Sequence, residues 1–313
     1  MARTVFDAFL AGDAIPEKAL LPAVEPLAAR IGSIETDTMM SDPSHWSACL
    51  AKAGRLLDLN GLILGMDPSL VSEAYGVQLA SDNGRSVPRA TKEQLSAQPT
   101  IDGGLGSGRL GHALEALNRL VQTEKPHYGC IAALSGPAAL AQTLFGDSEG
   151  AHLAELTQSL VELAEAFCKV RPDLLLFREG RELGNAVIGM SHRKVYNTVK
   201  NMAGYFNVPV AVYLEDYNSA LLPELGKLKI PFILLGADQN GQAPDPALVR
   251  ELAGTVDGVG VPLPFDDPDN AAALVESYRE QLQGVNYLYT SMHELTRETD
   301  LEKARTLIGN LKN

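Results

Sequence analysis

A chain of 313 residues, of which 45% are hydrophobic, is long enough to enclose one large core or two modest ones, and its composition excludes fibrous, collagen-like and disordered proteins. Lys and Arg number 26 against 39 Asp and Glu, so the net charge of −13 repels phosphate backbones and anionic lipid. We therefore expect a small-molecule substrate as the partner, and neither nucleic acid nor a membrane.

The location and the redox state follow from features that the sequence lacks. No apolar stretch approaches the roughly 20 residues of a membrane-spanning helix. The start of the chain carries two aspartates and no long apolar run, which makes it a poor secretion signal. The three cysteines, Cys49, Cys130 and Cys168, form no close pair and are typical of reduced, buried thiols. These features predict a cytoplasmic protein.

The first 60 residues are predicted to hold a helical segment and the first, poorly marked element of a sheet. A helix should begin at Ser41 or Asp42, because a capping side chain followed by Pro43 is an N-terminal signal. This helix carries Trp46, which we expect in the core.

From residue 61 onward, short apolar runs alternate with longer stretches of helical periodicity. The runs are apolar throughout, which is typical of strands that are covered on both faces of a parallel sheet. The predicted strands are GLILGMD, GCIAALSGP, DLLLFREG, VPVAVYLEDY, IPFILLGAD, VDGVGVPLPF and NYLYTSMHE. The predicted helices between them span residues 155–170, 193–206, 246–254 and 270–282.

Seven repeats of strand and helix, with one further element near the start, approach the eight repeats of a (β/α)₈ barrel, or TIM barrel. A doubly wound open sheet is the alternative. We favour the α/β class with a (β/α)₈ barrel, whose usual size is about 250 residues. No linker rich in Pro, Ser or Gly divides the sequence, so residues 1–313 are predicted to form a single domain.

Polar residues close five of the predicted strands. In a barrel of this type the chemistry lies at the carboxyl ends of the strands, although each such residue alone is better explained as a helix cap or a solvated rim residue. These residues are Asp67, Arg178, Glu179, Glu215, Asp216, Asp238 and His293. We expect Asp67 and His293 to open into one shared cavity, where the imidazole could donate a hydrogen bond or move a proton near pH 7.

GSGRLG, at residues 106–111, matches a dinucleotide-binding fingerprint. The residues before it read as turns instead of a strand, and no acidic residue for a ribose follows at the required spacing. We therefore interpret it as a flexible loop. The sequence contains no Walker A, H-E-x-x-H, G-x-S-x-G or C-x-x-C motif, and its six histidines lack metal-ligand spacing.

Three short segments carry a resemblance to a known family. Asp67 stands nine residues before Gly76 in DPSLVSEAYG, LSGPAALAQTLFG spans residues 134–146, and SMHELTRETD contains His293. They are similar, in this order, to an aspartate segment, a G-x-P-x-T-L-A run and a closing strand of the uroporphyrinogen decarboxylase superfamily. The resemblance extends from about residue 3 to 308 and implies the same barrel.

The resemblance implies roles for individual residues. In the porphyrin-pathway decarboxylase of this superfamily, the aspartate stabilises the positive charge of a protonated pyrrole ring, so Asp67 is the expected catalytic carboxylate and His293 its catalytic partner. Thr143 stands where the family has a substrate-facing tyrosine. The family's early arginine motif is missing, which makes Arg178 and Arg181 the candidate contacts for anionic groups of the substrate.

The methyltransferases of the superfamily bind zinc through an H-x-C motif, and here Tyr213 and Glu215 stand at the two positions. Because the soft thiolate ligands are missing, we expect no metal. A harder site, if any, would use Glu215, Asp216 and His293. The further substrate-binding candidates are Glu179, Tyr213, Glu215 and Asp238.

Taken with the resemblance, these residues favour a lyase of the decarboxylase type that needs no cofactor. Its substrate would belong to porphyrin biosynthesis or be a smaller, less anionic organic molecule. The first alternative is a methyltransferase that works with a corrinoid protein or a methylated cofactor, and the second is a barrel that binds a ligand without catalysis. The resemblance also suggests a homodimer.

Overall fold

Seven parallel strands form the main sheet of the protein. The computed structural model describes residues 2–13, 17–82, 85–88, 105–147 and 150–312. Within them the strands are β1 (Gly61–Leu64), β2 (Leu79–Asp82), β3 (Arg85–Pro88), β4 (Gly129–Ser135), β5 (Leu174–Glu179), β6 (Val210–Leu214), β7 (Phe232–Leu235), β8 (Gly258–Leu263) and β9 (Tyr287–Ser291). The sheet order is β1-β4-β5-β6-β7-β8-β9, and β2 and β3 form a separate antiparallel pair. All seven strands predicted from the apolar runs are confirmed.

Helices follow the strands of the main sheet. Within the described residues they are α1 (Ala2–Ala11), α2 (Glu25–Gly32), α3 (Thr36–Met40), α4 (Pro43–Leu57), α5 (Ser69–Ala74), α6 (Gly108–Glu124), α7 (Pro137–Phe145), α8 (Leu153–Lys169), α9 (Arg181–Gly184), α10 (Met190–Tyr205), α11 (Pro246–Ala253), α12 (Pro268–Gln281) and α13 (Leu301–Lys312), with a 3₁₀ helix at Ser219–Leu228. The four predicted helices are confirmed as α8, α10, α11 and α12. Among these described helices, none has both the length and the apolar character that crossing a bilayer requires.

Local sequence signals explain where several helices begin. α4, α11 and α12 each start at a proline that follows an aspartate, and each aspartate accepts a hydrogen bond from a backbone N–H of the first turn. The capping residues are Asp42, Asp245 and Asp267. The helix predicted at Asp42 is thus confirmed, and its Trp46 is fully buried.

The strands separate two apolar cores. In β5, Leu174 and Leu176 belong to an inner core that the sheet encloses, whereas Leu175 and Phe177 belong to an outer core shared with the helices. The alternation arises because successive side chains of a strand point to opposite faces. Both faces of the sheet are therefore covered, which explains why the predicted strands are apolar throughout.

Helix α1 fills the amino-terminal end of the inner core. The Phe9 ring lies 5.1 Å from the Phe232 ring at the start of β7. Phe6 packs so closely on Gly129, at the start of β4, that a Cβ at that position would lie 2.2 Å from its ring. Because this end of the barrel is packed with side chains, the carboxyl ends of the strands are where a site can form.

Residues 19–23 occupy the gap between β9 and β1. The backbone N–H of Leu21 and the C=O of Ala19 both bond to Tyr289 at 2.8 Å, and on the other side the C=O of Leu20 accepts the Asn60 N–H at 3.2 Å. This contact is an isolated parallel bridge. The predicted α/β barrel is confirmed with seven strands in chain order, and within the described residues this segment does not form the predicted eighth strand.

Arg3 anchors α1 to the sheet. Its guanidinium donates to both carboxylate oxygens of Asp173, at 2.7 and 2.8 Å, just before β5 begins. Asp173 also accepts the backbone N–H of Cys130 at 2.8 Å, so its carboxylate joins α1 to β4 and β5.

We predict that Asp173→Asn lowers the free energy of unfolding by about 2–3 kcal/mol, because it leaves a half-buried guanidinium with only the exposed Asp7 as a countercharge. Urea denaturation measures the change. Asp7→Asn is the matched control: Asp7 is an exposed partner of the same Arg3, at 2.9 Å, and its loss should cost below about 1 kcal/mol. Equal losses in the two variants would contradict the anchoring role.

Candidate active site

A pocket of about 460 Å³ opens at the carboxyl ends of β1, β4, β5 and β6. A concave site at this end of parallel barrel strands is the usual position of an active site. Its charged lining residues are Asp67, Arg178, Glu179, Arg181, Glu182, Glu215 and Asp216. All of these except Glu182 were predicted from the sequence, so the structure brings most of the predicted residues together.

A glycine turn carries Asp67 into this pocket. Gly65 follows β1 with a φ of +99°, and a Cβ there would lie 2.4 Å from the carbonyl oxygen of Ala133, so no larger residue fits. Asp67 Oδ1 then accepts the backbone N–H of Ser69 at 2.8 Å and its hydroxyl at 2.7 Å, at the start of α5. These contacts hold the Asp67 carboxylate in one orientation.

Arg109 neutralises the charge of Asp67. Its Nη1 lies 2.6 Å from Asp67 Oδ2, and its Nε lies 2.6 Å from a carboxylate oxygen of Glu73. Its Nη2 donates to the hydroxyl of Ser69 at 2.8 Å. The side chains of Arg109 and Asp67 are only 14% and 12% exposed, so little water screens the pair. Asp67 is therefore compensated before any ligand binds.

Arg109 is not among the residues predicted from the sequence, because it lies in GSGRLG, which the sequence predicts to be a flexible loop. That interpretation is wrong for residues 108–111, which form the first turn of α6. The residues before Leu105 that argued against dinucleotide binding lie outside the described residues, so that conclusion stays a prediction. No local pattern marks Arg109, because its partners lie 36 to 42 positions away.

Two more arginines of the pocket are paired with carboxylates. Arg178 Nη2 makes a short hydrogen bond to Glu215, which directly follows β6, and Arg181 lies 3.0 Å from Asp216. Asp216 has a φ of +55°, a left-handed conformation that aspartate tolerates better than most residues. The arginines predicted to hold a substrate's anionic groups are thus engaged within the protein.

Glu179 is the most deeply buried carboxylate of the pocket, with 1% exposure. It accepts the backbone N–H groups of Ala138 and Ala139, at 3.1 and 2.8 Å, at the start of α7, and a short hydrogen bond from the Tyr196 hydroxyl. Burial raises the pKa of Glu179 to about 7, and these hydrogen bonds limit the rise. Glu179 can therefore gain or lose a proton near neutral pH. A Cβ at Gly136 would collide with it, at 2.1 Å.

Glu182, which the sequence analysis did not single out, lies beside Glu179. Its Oε2 is 3.1 Å from where a Cβ of Gly180 would stand, so the side chain folds back over the turn between the two glutamates. Among the hydrogen bonds and ion pairs of the described residues, none involves its carboxylate. Its negative charge raises the pKa of Glu179 slightly further.

Three other predicted substrate-binding residues have different environments. Thr143 does line the pocket, with its hydroxyl bonded to the Ala139 carbonyl at 2.9 Å. Tyr213 belongs to the inner core with 1% exposure, and its hydroxyl bonds to the Ser291 carbonyl at 3.3 Å. It does not line the pocket, because its position on β6 points inward.

Asp238 is likewise absent from the pocket lining. Its carboxylate accepts the backbone N–H groups of Asn240 and Gln242, at 2.8 and 3.0 Å, and the Ser219 hydroxyl at 3.1 Å. Asp238 thus shapes the loop after β7, as expected for an aspartate in a turn.

His293 lies in a second pocket, of about 560 Å³, formed after β8 and β9. The expectation that Asp67 and His293 share one cavity is therefore wrong. Both follow strands at the same end of the barrel, but β1 and β9 are the two edges of the seven-stranded sheet. Residues 19–23 stand between these edges, and the chain that continues into α2 separates the two side chains.

Glu25, at the start of α2, is a buried carboxylate in this separating segment. It is 0% exposed and accepts hydrogen bonds from the Trp46 indole at 2.7 Å and from the backbone N–H groups of Gly65 and Met66 at 2.9 and 2.8 Å. It therefore fixes the turn that positions Asp67. Burial raises the pKa of Glu25 to about 8, and the negative charge of Glu294 adds to the rise. The one possible signal in the sequence was a lone acidic residue in the apolar run LLPAVEPLAA.

The residues of the pocket do not fit a zinc ion. Among the described residues, no three His, Cys, Asp or Glu side chains are arranged to hold a metal. The harder site proposed from Glu215, Asp216 and His293 is not assembled, because the two carboxylates are paired with arginines and His293 lines the other pocket. The three cysteines are buried away from the pocket lining.

Comparison with known proteins places this fold among enzymes with a similar barrel. No protein-family model and no curated protein match the sequence. The structure is similar to that of a methyltransferase from Methanosarcina mazei, with a TM-score of 0.79 and 12% identity, over 99% of this chain and 98% of that chain. It is also similar to a B12-independent methionine synthase from Shewanella sp. W3-18-1 in complex with selenomethionine, with a TM-score of 0.56 and 13% identity, over 95% and 94% of the two chains.

At these identities the likeness establishes the fold alone. It supports the α/β barrel fold.

We predict that Trp46 reports the ionisation of Glu25. Trp46 is the single tryptophan of the chain, and its indole donates to this carboxylate, so its fluorescence should change with a midpoint near pH 8. Glu25→Gln should abolish the transition, and Glu294→Gln should lower its midpoint because it removes a neighbouring negative charge. A transition that persists in Glu25→Gln would show that another group is responsible.

The same ionisation should affect stability. Because burial raises the folded-state pKa of Glu25 from 4.5 to about 8, the stability gained from its protonated form is complete below pH 4.5 and is lost as the pH rises through 8. Denaturant unfolding between pH 5 and 9 should show a shallower loss for Glu25→Gln than for the parent protein.

Proposed function

We propose that this chain is a methyltransferase of the uroporphyrinogen decarboxylase superfamily. It would act on a small molecule at the mouth of a barrel of seven strands, in which residues 19–23 fill the gap between β9 and β1. The similarity to a methyltransferase over nearly the whole of both chains supports this choice. The pocket of about 460 Å³ at the carboxyl end of the strands supports a small substrate.

The pairing of the arginines with carboxylates is the observation that favours a methyltransferase over a lyase. A decarboxylase of porphyrin precursors needs cationic groups for the substrate's carboxylates and an aspartate whose charge is available to a cationic intermediate. Arg178 and Arg181 are paired with Glu215 and Asp216, and Asp67 is paired with Arg109. Methyl transfer requires neither an arginine nor an aspartate that is free of an ion pair within the protein.

We further propose that Glu179 takes the role of a general base. In methyl transfer to an acceptor X–H, the new X–C bond forms while the bond between the methyl carbon and the donor breaks, and its electron pair stays on the donor. The proton of the acceptor passes to a carboxylate oxygen of Glu179. A pKa of about 7 suits this task, because about half of the Glu179 side chains are ionised at neutral pH.

Tyr196 and the start of α7 would position this base. The hydroxyl of Tyr196 and the N–H groups of Ala138 and Ala139 all donate to the Glu179 carboxylate and so favour its ionised form. The methyl donor, either a methylated corrinoid carried by a partner protein or another methylated cofactor, would supply the methyl group as a substrate from the solvent side of the pocket.

Methylcobalamin and a panel of small amines, thiols and phenols test the proposal. We expect methylated product, detected by mass spectrometry, at a rate that rises with pH through about 7. Glu179→Gln should lower the rate by about 10² or more, as expected when a general base is lost. Tyr196→Phe should move the midpoint of the pH profile upward, because it removes a donor that favours the ionised form.

Glu280→Gln, on the exposed face of α12, is the matched control and should leave the rate unchanged. An unchanged rate in Glu179→Gln would remove Glu179 from the mechanism. Release of carbon dioxide from uroporphyrinogen, with no methyl transfer to any acceptor, would show lyase activity and contradict the methyltransferase proposal.

A further inference from the structure

We propose that the acceptor bound in this pocket is an amine, and that Glu182 determines this specificity by receiving the positive charge of its ammonium form. The inference about binding stands on the charges of the pocket. Its consequence for the reaction rests on the methyltransferase function proposed above.

The pocket carries more negative than positive charge. Among the described residues, five carboxylates line it, those of Asp67, Glu179, Glu182, Glu215 and Asp216, against the guanidinium groups of Arg178 and Arg181. Even with Arg109, which reaches Asp67 from α6, the carboxylates outnumber the guanidinium groups. Protonation of Glu179 lowers the excess to one negative charge, but does not remove it.

The ion pairs show where this excess lies. Arg109, Arg178 and Arg181 are each engaged with a carboxylate, namely Asp67, Glu215 and Asp216 in turn. Glu179, at the end of β5, and Glu182, in α9, are left. Glu179 is satisfied by backbone N–H groups and a phenol, whereas Glu182 makes no hydrogen bond or ion pair with another described residue.

The position of Glu182 suits a ligand contact. Its carboxylate lies over Gly180, beside Glu179, and it lines the cavity while the residue as a whole is only partly exposed. A carboxylate that is partly withdrawn from water attracts a cation more strongly than one in bulk solvent. The neighbouring cation, the exposed Arg181, is itself paired with Asp216, so a cationic ligand would add a countercharge that a neutral ligand cannot, and an anionic ligand would be repelled.

An amine acceptor also fits the chemistry of methyl transfer. A bound ammonium ion has no free lone pair, so Glu179 first takes one of its protons. When the nitrogen lone pair then attacks the methyl carbon, a C–N bond forms, the bond to the donor breaks with its electron pair on the donor, and the nitrogen becomes positively charged again. Methylation of a thiolate or a phenolate produces no such cation. Glu182 would thus stabilise the charge that develops on the nitrogen in the transition state.

Calorimetric titration of the full chain tests the inference without any turnover. The probes are choline and 3,3-dimethylbutan-1-ol, which have the same shape and differ in a positive charge, together with dimethylaminoethanol. We expect choline and dimethylaminoethanol to bind at least about 10-fold more tightly than the neutral alcohol at low ionic strength, and the preference to shrink with added salt.

Glu182→Gln should remove most of this preference, because the amide keeps the size of the side chain and loses its charge. Glu280→Gln, which makes the same change on α12, should keep it. Equal binding of the three probes, or a preference that survives Glu182→Gln, would overturn the inference.

The two proposals can fail separately. A charge preference that depends on Glu182, without methyl transfer to any acceptor, would leave an amine-binding pocket and end the methyltransferase proposal. Methyl transfer to a thiol or a phenol but to no amine would support the enzyme and overturn the amine specificity.

Discussion

The parallel strands bury side chains on both faces, and this constraint shapes the rest of the molecule. Leu174 and Leu176 face the inner core while Leu175 and Phe177 face the outer one, so β5 has no place for a charge until it ends at Arg178 and Glu179. The other strands repeat this pattern. With α1 packed into the amino-terminal end, charged groups collect at the carboxyl ends of the strands.

Charges collected in this way need partners, because water reaches them poorly. Arg109 bridges Asp67 and Glu73, and Arg178 meets Glu215 across neighbouring strands. Such pairs add little to the free energy of unfolding, but a buried charge that loses its partner lowers it strongly. Under the proposed function, the same pairing removes the arginines from substrate binding and leaves Glu179 and Glu182 to act on a ligand.

The segment that enters α2 divides the mouth of the barrel. Its Glu25 ties α2, α4 and the turn after β1 together through Trp46, Gly65 and Met66. One buried carboxylate thus sets the direction of Asp67 and also stands between the pocket of Asp67 and that of His293. This arrangement explains why two residues at the same end of one barrel line different cavities.

Burial on both faces and Asp-Pro helix starts are local patterns in the chain, so the sequence alone predicts the strands, five of the thirteen α-helices of the described residues and the α/β barrel. It also placed Asp67, Arg178, Glu179 and Glu215 at strand ends. Only the tertiary structure decided which charges are compensated, since Arg109 meets Asp67 across 42 positions and Glu25 meets Gly65 across 40. Pairing and burial depend on distances in space, and for that reason local patterns could neither reveal Arg109 and Glu25 nor separate His293 from Asp67.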